Sequence, residues 1–174
     1  MREAVLDVRI DPPARHRWSA AAVCFALPRE LEVDAMTTPE WVLLGFAGWT
    51  LTVLFLSVGV YRWSHILTRR RRIADFRADG ADGPAWYQRA TRAHANCIEN
   101  LPVYGAIVLA ARSARVDDGL LDTLACILLA ARLIQSTLHI SLEPSDRAVS
   151  VRFAFYLLQI VCMLWMGIHV ALAA

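Results

Sequence analysis

The segment from Trp41 to Tyr61, WVLLGFAGWTLTVLFLSVGVY, runs for 21 residues without a charged side chain. A helix rises about 1.5 Å per residue, so about 20 apolar residues cover the hydrocarbon core of a bilayer. The segment therefore reads as a transmembrane helix, and Phe153 to Ala174, 22 residues long, reads as another. Between them lie two less uniform apolar stretches. Ala93 to Ala111 carries Glu99 and Pro102, and Leu120 to Leu142 carries Asp122 and Arg132. Backbone N–H and C=O groups find no water inside a bilayer, so these stretches are expected as helices too, giving four spans. The expected fold is all-α, an integral-membrane four-helix bundle.

Composition points the same way. The chain of 174 residues is 57% hydrophobic and 20% charged, against about 45–50% and about 25% in soluble domains, and its mean hydropathy is +0.41. That excess argues against a water-soluble enzyme. All 18 basic residues are arginine and face 16 acidic ones, a net charge of +2 that gives no overall field to gather nucleic acid. An arginine-only basic set hints at a GC-rich bacterium and hence a plasma membrane. Cys24, Cys97, Cys126 and Cys162 have neither the spacing of a metal site nor that of a disulfide scaffold.

Arginine placement sets the expected topology. Residues 62–92 hold eight arginines, including the run Arg69 to Arg72, whereas residues 112–119 hold two arginines and two aspartates. Positive residues stay on the cytoplasmic side, so the loops between helices one and two and between three and four are expected inside, and both termini outside. The run Arg69 to Arg72 reads as a topology signal or a contact with anionic lipid. Residues 1–40 are mixed in charge, contain Pro12 and Pro13, and hold an apolar stretch, Trp18 to Leu27, too short to span. They read as an N-terminal extension, disordered or not native, with Met36 as a candidate start; residues 41–174 form the domain.

Ionisable side chains in a bilayer cost a few kcal/mol each and normally face the bundle interior or a water-filled cavity. On the second helix Arg89, Arg92, Asn96 and Glu99 follow one another at three, four and three residues, which puts them on one face. The third helix repeats the pattern with Arg132, Ser136 and His139, flanked by Gln135, and the fourth with Arg152, Tyr156 and Gln159. Converging stripes would make a cavity suited to a small anionic, amide-rich ligand, because arginine forks grip carboxylates. The alternative is that these groups pair with one another to fix helix packing, Glu99 with Arg132 being the obvious pair.

The run Arg89-Ala-Thr-Arg-Ala-His-Ala-Asn-Cys-Ile-Glu-Asn-Leu-Pro102 resembles the second-helix signature of the MAPEG family, membrane-associated proteins in eicosanoid and glutathione metabolism. The microsomal glutathione transferase and prostaglandin E synthase branches are the most similar. The resemblance implies a homotrimer with glutathione held between protomers near the cytoplasmic face. It matches Arg89, Arg92, Asn96, Glu99 and His139 to glutathione contacts. It also matches Arg152 to the arginine that stabilises the glutathione thiolate, with Tyr156 four residues on. Phe153 and Ala95 stand where the prostaglandin branch has a serine and an arginine, which turns the expectation toward general transferase or peroxidase activity.

A free thiol titrates near 8.5, so only a few per cent is thiolate at neutral pH, and a guanidinium in contact lowers that value. Arg152 is expected in this role, with Tyr156 or His139 orienting glutathione and a lipophilic electrophile or lipid hydroperoxide arriving from the bilayer. The alternative of the same fold is a non-catalytic membrane lipid-binding protein, since the family includes a branch that binds fatty acids without using glutathione. No metal is expected in either case.

Overall fold

A computed structural model describes residues 35–77 and 82–174; residues 1–34, most of the expected N-terminal extension, lie outside the described residues. Four long helices follow one another: α1 (Thr38–Leu67), α2 (Ala85–Ala114), α3 (Gly119–Ser141) and α4 (Asp146–Ala173). Among the described residues there is no strand. Helices α1, α3 and α4 are long and apolar enough to cross a membrane. The 30-residue α2 has the length, but its polar stripe keeps it outside that class.

Three of the four helices begin at a residue whose side chain takes part in a cap, while α2 follows Pro84 without one. The Glu40 carboxylate accepts from the Thr37 N–H at 2.7 Å before α1, Asp118 accepts from Leu120 and Leu121 N–H at 3.0 Å each before α3, and Ser145 caps α4. Helix α2 ends on Arg115, whose φ of 55° takes the chain out of the helix. Pro102 lies inside α2. Packing against the neighbouring helices holds a helix that propensity alone would break there.

Helix α1 contains a π-helical turn over Leu54–Gly59. Ser57 Oγ donates back to the Val53 carbonyl, and a Cβ on Gly59 would stand 3.2 Å from the Leu54 carbonyl oxygen. The extra residue in this turn changes the facing of α1, so that its last two turns meet the start of α2 rather than continuing the earlier seam.

The core gathers Phe46, Cys97, Tyr104, Leu121, Leu128 and Met166, one or more from every helix. Tyr104 donates its hydroxyl hydrogen to the Pro39 carbonyl at 3.0 Å, fastening α2 to the start of α1. The outward faces carry Leu56, Leu109 and Leu172, all well exposed, as expected where the surrounding solvent is lipid. Helices α3 and α4 share the most extensive helix–helix interface.

Two stability predictions arise here. The Tyr87 ring lies fully buried against Gly83, where an added Cβ would come within 2.1 Å of the ring. Gly83→Ala is therefore expected to push Tyr87 out of its seat and cost about 1–3 kcal/mol, read as a lower unfolding midpoint in detergent; an unchanged midpoint would contradict the packing. At the other end of the bundle, His169 Nε2 meets Asp118 Oδ2 at 2.5 Å. The hydrogen bond from His169, aided by the Leu121 and Leu120 N–H groups, holds the Asp118 carboxyl below its usual value. A depressed carboxyl stabilises the fold above the ordinary aspartate value of about 3.9 and loses that stabilisation as pH falls through its lower folded value. Asp118→Asn keeps a capping oxygen but not the charge. Its midpoint is expected to fall less steeply than wild type on acidification below about pH 4.

Candidate functional site

The charged stripe of α2, the end of α3 and the start of α4 meet at one end of the bundle. Arg89, one turn into α2, donates from Nε to the Ile140 carbonyl at 3.1 Å and so ties α2 to the last turn of α3. His139, on that last turn, receives Arg152 Nη1 at 3.4 Å on Nδ1. A guanidinium only donates, so Nδ1 accepts and the hydrogen of a neutral His139 sits on Nε2. Arg152 is further held by its Nε–H to the Ala148 carbonyl at 3.2 Å, one turn back on α4.

Arg89 and Arg152 thus flank the last turn of α3, and Arg92 follows Arg89 by three residues along the same stripe of α2. No carboxylate pairs with any of the three among the described residues. Three guanidinium groups from two helices, with no counter-charge between them, make a basin for an anion. Arg89 and Arg152 are half-buried and Arg92 is exposed, so the basin opens to the surface of the protomer.

Asn96 and Glu99 continue the α2 stripe inward, Asn96 half-buried and Glu99 exposed. Tyr156, half-buried, lies one turn beyond Arg152 on α4. Within the protomer, then, Arg89, Arg92, His139 and Arg152 come together. Asn96, Glu99 and Tyr156 extend from them along the two helices, with no hydrogen bond or ion pair to the cluster among the described residues.

The expected Glu99–Arg132 pair does not form. Arg132 is 1% exposed and turns into the bundle, where Nη1 donates to Gln135 Oε1 at 3.0 Å and the guanidinium carbon lies 5.2 Å from the centre of the Phe46 ring. Gln159 Nε2 donates to the same Gln135 oxygen at 3.0 Å. Burial decides the outcome: a fork on the inner face of α3 reaches an amide and an aromatic face before it can reach a carboxylate on the outward side of α2. Arg132, Gln135 and Gln159 thus form a polar floor beneath the basin rather than part of its wall. Cys97, fully buried, contacts Ser136 Oγ at 3.6 Å in the same interior.

From Glu99 and Tyr156 the same two helices continue into an apolar groove of about 420 Å³. Val103 lies four residues after Glu99 and Ile160 four after Tyr156, and Ile107, Met163 and Leu164 complete its walls. This groove had no counterpart in the sequence stripes. Its signal is the apolar continuation of each stripe at the same helical spacing.

Among the described residues, an all-helical fold with three apolar helices of spanning length and a fourth carrying a cationic stripe is the outline of an integral-membrane protein. The MAPEG family model matches residues 41–172, and the chain belongs to the MAPEG family. Membership places it among membrane proteins of glutathione and eicosanoid metabolism. Comparisons with curated proteins and with solved structures gave no significant match.

Proposed function

We propose that the protein is a membrane-bound, glutathione-dependent transferase or peroxidase acting on lipophilic electrophiles or hydroperoxides, with α2 as a fourth span and neighbouring protomers of a homotrimer completing each site. The observation that carries the reading is that Arg89 and Arg152 meet at the last turn of α3 while the same two helices, α2 and α4, line an apolar groove further along. A tripeptide thiol with two carboxylates fits the first, and an apolar co-substrate from the bilayer fits the second. Side by side, the two would supply the proximity on which a bimolecular reaction depends.

In this reading Arg89 and Arg92 grip the glutathione carboxylates, Asn96 and Glu99 hold its amide and ammonium groups, and Arg152 stabilises the thiolate. Tyr156 and His139 orient the peptide. The exposure of Arg92 and Glu99 on a lone protomer supports a trimer in which a neighbour covers them, since exposed charge at membrane depth is costly. The expected membrane is a bacterial plasma membrane, with the basin end cytoplasmic.

The test is rapid mixing of purified protein and glutathione with a generic lipophilic electrophile. Conjugate formation above the uncatalysed rate is expected. Arg92→Gln, which removes a charge-assisted carboxylate contact, should raise the glutathione Kd by about tenfold to a hundredfold. Absence of conjugation and of hydroperoxide reduction, with a fatty acid retained through purification, would favour the lipid-binding alternative.

A further inference from the structure

The run Arg69 to Arg72 sits where α1 ends and takes no part in the basin. Arg69 adopts a φ of 54°, which swings the chain off the helix axis. The turn closes through the Arg70 N–H to the His65 carbonyl at 2.9 Å, and a short 3-10 turn, Ile73–Asp75, follows. Of the four arginines, Arg71 alone folds back: its Nη1 meets Asp82 Oδ2 at 2.7 Å and its Nη2 the Asp82 carbonyl at 3.2 Å. Arg69, Arg70 and Arg72 are exposed, and their side chains make no ion pair or hydrogen bond among the described residues. The carboxylate nearest in sequence, Asp75, is occupied by the Arg72 backbone N–H at 3.0 Å.

The elbow that carries them is braced. Tyr61 lies 4.2 Å from the Tyr87 ring and 5.6 Å from the Trp86 ring, centre to centre. Arg62 donates to the Tyr87 hydroxyl at 2.6 Å and stacks over Phe76 at 5.7 Å. On the outside of this block, Leu67 is 76% and Ile73 73% exposed, and they bracket the three free arginines in sequence. Large apolar side chains displayed beside unpaired guanidinium groups, on a fixed turn at the end of an apolar helix, match the two layers of a membrane interface. Acyl chains suit the first and phosphodiesters the second.

We infer that this elbow is a binding site for anionic phospholipid, with Arg69, Arg70 and Arg72 gripping headgroup phosphates and Leu67 and Ile73 seated among the acyl chains. Guanidinium forks fit phosphate oxygens in pairs and are weakly hydrated, so they give up water for a phosphate more readily than an ammonium does. The site depends on the protein residing in a membrane and is independent of whether it uses glutathione. Bound lipid would also fix the depth at which the end of α1 sits, and with it the start of α2, through the Tyr61–Tyr87 contact.

The experiment uses the full chain in detergent–lipid micelles containing spin-labelled phosphatidylglycerol or spin-labelled phosphatidylcholine, and reads the immobilised fraction of each. Wild type is expected to prefer phosphatidylglycerol by about tenfold, a preference that falls in high salt. The Arg69→Gln/Arg70→Gln/Arg72→Gln variant should lose it, whereas Arg115→Gln, at the opposite end of α2, should keep it. Circular dichroism and gel filtration identify any variant that has failed to fold. Equal binding of the two lipids by wild type would overturn the site. So would a preference unchanged in a folded triple variant, or its erasure by equimolar inorganic phosphate, which would mark a soluble-anion site instead. If the triple variant fails to fold, Arg70→Gln/Arg72→Gln, which leaves the left-handed Arg69 turn intact, is read in its place, and an undiminished preference there overturns the proposal as well.

Discussion

Replacing Arg152 by alanine is expected to reduce glutathione conjugation by about a hundredfold at neutral pH, with most of the loss in the chemical step. A thiol with no cation beside it returns to a value near 8.5, so its reactive fraction falls to a few per cent. Loss of a fixed charge at the site of a developing negative charge adds further to the barrier. The side chain is held by Ala148 and His139, so its removal takes away a positioned cation rather than a mobile one. The ultraviolet absorbance of bound thiolate should disappear in the variant, and its rate should climb as pH approaches 8.5. Arg152→Lys, which keeps the charge but not the fork, should fall between the two. A variant that retains the thiolate band would place the activating charge elsewhere in the basin, on Arg92 or Arg89.

The second large effect concerns the floor beneath the basin. Gln135 offers one oxygen to two donors, Arg132 Nη1 and Gln159 Nε2, while Arg132 Nε and Nη2 already lack a protein partner among the described residues. Gln135→Leu removes the amide oxygen that receives Arg132 Nη1 in the buried interior and is expected to cost about 3 kcal/mol. The unfolding midpoint should drop by several degrees. Adding Arg132→Met should restore much of that stability, because an apolar side chain of similar length needs no acceptor. The double-mutant cycle isolates the pair from the rest of the core. Equal destabilisation in the single and double variants would mean that the amide, and not the cation it serves, is what the interior requires.

The contrast between basin and floor marks what a one-dimensional pattern can tell. Trp41–Tyr61 and Phe153–Ala174 declare their helices by length and lack of charge. The spacing of Arg89, Arg92, Asn96 and Glu99 fixes which side chains share a face. Which neighbour that face meets is another matter. Arg132 and His139 lie on one stripe, yet the first turns into the bundle and the second meets Arg152 at its end, because the closest partner in three dimensions decides. The π turn at Leu54–Gly59 and the aromatic brace around Tyr61 were also illegible, since both depend on how α1 meets α2 across a long loop. The apolar continuation of two stripes into one groove was readable in principle, but only once the two helices were known to be adjacent.

Glutathione titration of the assembled, detergent-purified protein, followed by ultraviolet difference absorbance, bears most directly on the central claim that guanidinium groups from α2 and α4 grip an acidic tripeptide and hold its thiolate. Saturable binding below millimolar concentration with a thiolate band is expected, and both should weaken in Arg92→Gln. No binding at several millimolar glutathione, in protein whose assembly has been verified, would contradict it.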